Sequence, residues 1–259
     1  MGDSEPIIAL RGLTKSFGDQ AVLKALDLDV PRGKILCIIG RSGEGKSVLL
    51  KHIIGLLEPD AGDVLIDGQS MVTSAPAARR ALMRRFGMLF QNAALFDSMN
   101  VFENVAFPIR ESDTCPNKEE LRRIVREKLE LVGLSGVEHK MPGELSGGMR
   151  KRVGLARAIA LNPEILLYDE PTTGLDPIRT HAVDQLILDT ASRLDVTSVV
   201  ITHDMQAVFE IADQVAFLFE GEIHALVTPD ELRTHPSPVI QAFLAGRALT
   251  DDVRDNSEV

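Results

Sequence analysis

Cysteine is scarce in this chain: 259 residues hold two, Cys37 and Cys115. Their separation matches no metal-binding or redox spacing. Cys37 lies inside the apolar run KILCIIG and reads as a core residue, so a reducing, cytosolic compartment is expected. Long apolar runs are missing too, since no stretch approaches the ~20 residues needed to span a bilayer. The opening MGDSEPIIAL lacks the basic region and apolar core of a signal peptide. The chain is expected to be soluble by itself, with any membrane it serves spanned by another chain. Nor is there a basic excess: the formal net charge is −10, which argues against a sequence-independent grip on nucleic acid. The local basic clusters Arg79-Arg80, Arg84-Arg85 and Arg150-Lys151-Arg152 read as solvated faces. Repeats and low-complexity segments are also absent. What remains is ordinary globular composition, 44% hydrophobic and 25% charged, long enough for a sizeable core in one large domain or two small ones.

Read along the chain, IIALRGLTKSFG and AVLKALDLDVPRG are β-like patches parted by a turn at Gly18-Asp19. KILCIIG predicts a strand buried on both faces, and KSVLLKHIIGLL a helix. DVLIDG and RFGMLF follow as short strands. The middle changes character: VFENVAFPI, NKEELRRIVREKLELVG and MRKRVGLARAIAL predict helices, the second with Asn117 as N-cap and Glu119-Glu120 in its first turn. Strand and helix then alternate through EILLYDE, IRTHAVDQLILDTASRL, VTSVVITH, DMQAVFEIA and QVAFLF. GEIHALV is expected to pair with QVAFLF around Glu220-Gly221, and PDELRTH and SPVIQAFLAG to form short helices. The pattern is that of an α/β domain with a mostly parallel sheet and a helical insertion. The acidic end, LTDDVRDNSEV, is expected to be loose unless a partner holds it.

GRSGEGKS, residues 40–47, fits the P-loop pattern Gly-x4-Gly-Lys-Ser, between a predicted strand and a predicted helix. Its glycines let backbone N–H groups curl around phosphates, Lys46 brings a cation to the β and γ phosphates, and Ser47 offers a hydroxyl to Mg²⁺. ILLYDE is an apolar strand ending in two acids. Asp169 reads as a Mg²⁺ partner, and Glu170 as the base that polarises an attacking water. Gln91 and His203 end two further apolar runs. In a parallel sheet the strand C-termini converge on one edge, where ligands bind, and that edge would collect the P-loop, Gln91, Asp169-Glu170 and His203. LSGGM, residues 145–149, places Ser146, Gly147 and Gly148 at a helix mouth with no acid, base or metal ligand. Positive charge at Arg150, Lys151 and Arg152 has the wrong sign for that dipole end. It makes sense if an anion docks there; a loop before a solvated basic face is the other reading.

The ordered set GRSGEGKS, Gln91, LSGGM, ILLYDE, TTGLD and His203 resembles the nucleotide-binding ATPase subunit of an ABC transporter, from about Ile7 to about Gly246. The resemblance implies a P-loop NTPase (RecA-like) core with a mostly parallel sheet, an N-terminal antiparallel β subdomain and an inserted helical subdomain. A single domain, 7–246, is expected: core and β subdomain over 7–91 and 162–227, helical signature subdomain over 92–161, C-terminal helices over 228–246, and an acidic tail over 247–259. It implies ATP and Mg²⁺ as cofactors. Gly40, Arg41, Ser42, Gly43, Glu44, Gly45, Lys46, Ser47 and Val48 would hold the nucleotide, and Ser47, Gln91 and Asp169 the metal. Glu170 would be the base, His203 the γ-phosphate sensor, and Gln91 the link to the membrane partner. Two copies would sandwich two ATP molecules head to tail, Ser146, Gly147 and Gly148 closing the partner's site and Asp176 joining the two. Phe17 stands where the family has an adenine-stacking tyrosine; a core side chain at a strand edge is its other reading. Met149 replaces the family's glutamine and loses that amide's hydrogen bonds.

LSGGM, NAALFDSMNVFENVAFPIRE and HPSPVIQAFLAG are similar to the ATPases of bacterial Mla-type phospholipid transporters. That likeness implies a permease, an MCE-domain protein and a small STAS-like regulator as partners, no nucleic acid, and a place on the cytoplasmic face of the inner membrane. Phe96, Met99 and Phe102 would face the permease or simply fill the helical core. A polar-solute importer keeps the enzyme and changes the cargo. A DNA-repair or translation ABC protein would need a coiled-coil arm or two cassettes, and a non-hydrolysing regulatory module is opposed by intact Glu170 and His203.

Overall fold

The computed structural model describes residues 5–247. Its first elements are β1 (Ile8–Phe17), β2 (Gln20–Val30), β3 (Ile35–Ile39), α1 (Lys46–Ile53), β4 (Ala61–Ile66), β5 (Gln69–Ser70), α2 (Pro76–Met83) and β6 (Phe86–Leu89). Then come α3 (Val101–Arg110), α4 (Lys118–Leu131), a 3-10 turn at Pro142–Glu144, α5 (Gly147–Ala158), β7 (Ile165–Asp169), α6 (Pro177–Leu194) and β8 (Thr197–Ile201). The last are α7 (Met205–Ile211), β9 (Gln214–Phe219), β10 (Glu222–Val227), α8 (Pro229–Arg233) and α9 (Pro238–Leu244). The acidic stretch from Leu249 lies outside the described residues. The chain divides into two compact units at 74/75 and 200/201.

In the first unit, β2-β1-β4-β5 form an antiparallel sheet. The β1–β2 hairpin turns at Gly18-Asp19, as the dipeptide predicts. Strand β2 buries Leu23, Leu26, Leu28 and Val30 and leaves most residues between them outside. Strand β3 behaves differently: all five residues, Cys37 among them, are at most 5% exposed. Each buried Ile or Leu there contributes about 1.5–3 kcal/mol. β3 runs parallel to β9, which pairs antiparallel with β10 through Glu222↔Phe219.

In the second unit, β6 and β7 run parallel in register Phe86↔Ile165 to Leu89↔Tyr168. Helices α3, α4 and α5 pack apolar faces together; α4 buries Leu121, Val125 and Leu129 at helical spacing. Asn117 caps α4 as expected, its side chain accepting from the N–H groups of Glu119 and Glu120 at 3.1 and 3.0 Å. Asn100 and Glu103 form a capping box on α3. Residues 92–161 lie inside this unit.

Three expectations change. Helix α2 and strand β5 lie outside the expected set: α2 is eight residues long, has no side-chain cap and buries only Leu82, and β5 is two residues long. The triplet 150–152 is only in part a solvated face: Arg150 is exposed, Arg152 half-buried and Lys151 buried. Lys151 is 6% exposed and donates to the Gln91 carbonyl, while Arg150 and Arg152 donate to the carbonyls of Leu145 and Val132, each at 3.0 Å. Val132 caps the C-terminus of α4, where a cation suits the dipole. These charges have intramolecular destinations, so no docked anion is needed to explain them.

Candidate functional site

The first unit carries the P-loop. β3 ends at Ile39 and α1 starts at Lys46, which leaves a six-residue loop between strand and helix. At Gly40 a Cβ would overlap the Leu218 carbonyl oxygen, with φ at +154°. At Gly45, φ is +96° and a Cβ would stand 2.8 Å from Val22 Cγ1. Only glycine meets both demands. Gly45 is the N-cap of α1 and supplies no side-chain cap, so the first-turn N–H groups face a place where an anion suits the dipole. Lys46, a residue 8% exposed, donates its ammonium to the carbonyls of Gly40 and Arg41, both at 2.8 Å. Glu44 shapes the loop from behind, accepting from the Glu220 N–H at 2.6 Å. Arg41 donates to the Arg247 carbonyl at 2.8 Å. Ser42, Gly43 and Ser47 are exposed and Val48 half-buried.

His203 and Phe17 belong to the same unit. The Thr202 N–H donates to the Ile38 carbonyl at 3.3 Å, which sets His203 at the end of β3 that feeds the P-loop. His203 is exposed, and the next residue, Asp204, caps α7. Phe17 is 49% exposed, with Lys15 Nζ 5.5 Å from its ring centroid. Its exposure removes the core-side-chain reading and leaves a ring able to stack on a planar ligand.

The second unit carries the rest. Because Leu89 pairs with Tyr168, Gln91 and the Asp169-Glu170 pair emerge at the same edge of adjacent parallel strands. Glu170 adopts φ of 50°, a left-handed conformation that costs a non-glycine residue about 1–3 kcal/mol and gathers at functional sites. Thr173 Oγ1 donates to Glu170 Oε2 at 3.0 Å and orients the carboxylate. Ser146 is the N-cap of α5, its hydroxyl oxygen accepting from the Met149 N–H at 3.3 Å. A hydroxyl that accepts keeps its own proton to donate. That capping bond uses the backbone of Met149, so the change of side chain leaves it intact. A Cβ at Gly147 would sit 3.6 Å from Leu175, so the signature turn lies against the TTGLD turn. Asp176 caps α6 through the Arg179 N–H at 3.1 Å and pairs with the Arg179 guanidinium at 3.2 Å. Phe96 is exposed, while Met99 and Phe102 are half-buried.

Lys151 is the site residue that sequence reasoning missed. Burial pushes its ammonium down from the ordinary lysine range, and the carboxylates of Glu170 and Asp169 pull it back. The available signal was positional: Gly147, Lys151, Gly154 and Ala158 share one helical stripe, and the three small residues on it mark the packed face.

The donor set fits a nucleoside triphosphate. In the first unit, the ammonium of buried Lys46, a run of N–H groups at a glycine-shaped helix mouth and the exposed Phe17 ring suit phosphate and base, and the Ser47 hydroxyl suits Mg²⁺. The comparisons with known proteins agree. A family model described as ABC transporter matches residues 23–173. The probable ribonucleotide transport ATP-binding protein mkl of Mycobacterium leprae is 46% identical over 242 residues, covering 93% of this chain and 70% of that one. The intermembrane phospholipid transport system ATP-binding protein MlaF of Escherichia coli is 42% identical over 242 residues, covering 93% and 90%. Among solved structures, a dimeric ATP-binding cassette in a post-hydrolysis state with ADP and Pi superposes with a TM-score of 0.77 at 30% identity, covering 86% of this chain and 98% of that one.

The chain belongs to the ABC transporter family, as an ATP-binding and ATP-hydrolysing cassette of α/β P-loop fold. No helix among the described residues is long and apolar enough to cross a membrane.

Proposed function

We propose that the chain powers phospholipid transport through a partner permease, as a head-to-tail dimer with ATP between the P-loop of one copy and LSGGM of the other. The carrying observation is the match to the phospholipid-transport relative from Escherichia coli over 93% of this chain and 90% of that one. In this reading Lys46 and residues 40–48 hold the phosphates, Phe17 stacks on adenine, and Ser47, Asp169 and Gln91 take Mg²⁺. The metal supplies charge neutralisation at the phosphates. Glu170 accepts the proton of the attacking water, His203 donates to the γ-phosphate oxygens, and Ser146, Gly147 and Gly148 close the partner's site with Asp176 beside them. The domain is one cassette over 7–246, its helical part, 92–161, turned to the permease through Phe96, Met99 and Phe102. An MCE-domain protein and a STAS-like regulator complete the complex at the cytoplasmic face of the inner membrane.

The mkl relative from Mycobacterium leprae has a ribonucleotide-transport name, which keeps a polar cargo as the second reading. A tagged pull-down from detergent-solubilised membranes, with proteins and lipids both identified by mass spectrometry, separates the two. A permease, an MCE-domain protein and enriched phospholipid are expected. A permease with a solute-binding protein and no lipid enrichment would overturn the cargo and keep the ATPase.

A further inference from the structure

The segment after β6 is held by helix α5 in a way the ATP site does not require. Lys151 donates to the Gln91 carbonyl. Six residues further along the same helix, the half-buried Arg157 spreads its guanidinium over two more carbonyls, Nη2 to Ala93 at 2.7 Å and Nη1 to Ala94 at 2.6 Å. Its charged centre also lies 5.8 Å from the Phe96 ring centroid. Ala93 and Ala94 carry φ of 60° and 46°, the one consecutive pair of left-handed non-glycine residues among the described residues. Such backbone costs about 1–2 kcal/mol per residue and persists where surrounding contacts enforce it. Gly154 completes the fit: a Cβ there would stand 3.0 Å from Ala93 Cβ and 2.9 Å from Leu89 Cδ1. Beyond Phe96 the loop is held by Asn104, which is fully buried and donates to the carbonyls of Phe96, Met99 and Asn100 at 3.1, 2.9 and 3.0 Å.

We propose that Lys151 and Arg157 are positioning residues for ATP hydrolysis: they fasten the Gln91–Ala94 turn to the signature helix, so that Gln91 and Ser146–Gly148 respond to nucleotide as one rigid piece. The proposal rests on reading Gln91 and Ser146–Gly148 as ATP-site residues. Cationic donors suit the task because charge-assisted hydrogen bonds are roughly twice as strong as neutral ones. Arginine suits the paired carbonyls because its planar fork holds its N–H donors in a fixed geometry, whereas a lysine ammonium is a point charge on a flexible stem.

The test uses the full chain assembled with its permease in lipid nanodiscs, comparing Arg157→Lys and Lys151→Gln with the native complex and with Glu170→Gln. Each positioning variant is expected to lower kcat about tenfold, the equivalent of one lost charged hydrogen bond, and to leave the KM for ATP within about twofold. Amide hydrogen exchange should rise across residues 92–100 and stay unchanged in α4. The proposal is overturned if kcat and exchange at 92–100 match the native complex. It is equally overturned if exchange rises throughout residues 75–200 while KM climbs, since that is general loosening. A native complex without ATP hydrolysis would overturn the functional reading and this proposal with it. Native hydrolysis, an inactive Glu170→Gln and a fully active Arg157→Lys would overturn the proposal alone.

Discussion

Two glycine-bearing helix mouths, those of α1 and α5, are built by different means. Helix α1 starts from Gly45 in a left-handed conformation, with no side-chain cap and no acid in its first turn. Its cation, Lys46, is buried and aimed at the loop's own carbonyls. Helix α5 starts from Ser146 in extended conformation, and the serine satisfies one N–H of the helix itself. Of its cations, Arg150 donates to the Leu145 carbonyl beside the mouth, while Lys151 and Arg152 reach the carbonyls of Gln91 and Val132 elsewhere in the unit. The first mouth gathers backbone donors and a buried cation in one loop. The second is already partly capped and offers a hydroxyl proton and glycine backbone, which suits a surface that closes over a phosphate held elsewhere. A strong primary site and a weak secondary one follow from this contrast.

The largest expected effect separates chemistry from both mouths. Glu170→Gln should lower steady-state ATP hydrolysis by roughly 10²–10⁴-fold, the range for a lost general base. Nucleotide affinity, read by equilibrium binding of a fluorescent ATP analogue, should hardly move. The next breaks the α1 side: Lys46→Ala should weaken ATP binding by single chains by about 1.5–3 kcal/mol, the scale of a charged hydrogen bond. The smallest breaks the α5 side. Ser146→Ala should lower stability by about 1 kcal/mol through the lost cap, seen in denaturant melts, while single-chain ATP affinity stays native. Equal loss of single-chain affinity in the Lys46 and Ser146 variants would erase the contrast between the mouths.

Much of this site was legible in the sequence because its chemistry is contiguous. GRSGEGKS is one loop, LSGGM one helix mouth and ILLYDE one strand end, so composition and spacing carry them directly. The convergence of Gln91 with Asp169 and Glu170 was legible too, since parallel strands place their C-termini on one edge. What was hidden is non-local. Lys151 resembles any solvated lysine until β6 brings the Gln91 carbonyl within its reach. Asn104 looks like an ordinary polar residue of α3, yet it is fully buried and organises the loop before it. The positive φ of Ala93 and Ala94 leaves no compositional trace, because alanine is not a residue that announces a left-handed turn. Helix α2 escaped because it is eight residues long, lacks a side-chain N-cap and buries a single leucine.

In the proposed dimer, one chain's P-loop and another's signature turn share each nucleotide. Native mass spectrometry of Glu170→Gln with Mg²⁺-ATP, alone and combined with Ser146→Arg, tests it most directly. Two chains carrying two ATP are expected for the first protein, and single chains carrying one ATP each once the bulky cation blocks the α5 mouth. Dimers that persist with Ser146→Arg, or ATP-loaded Glu170→Gln that stays as single chains, would contradict it.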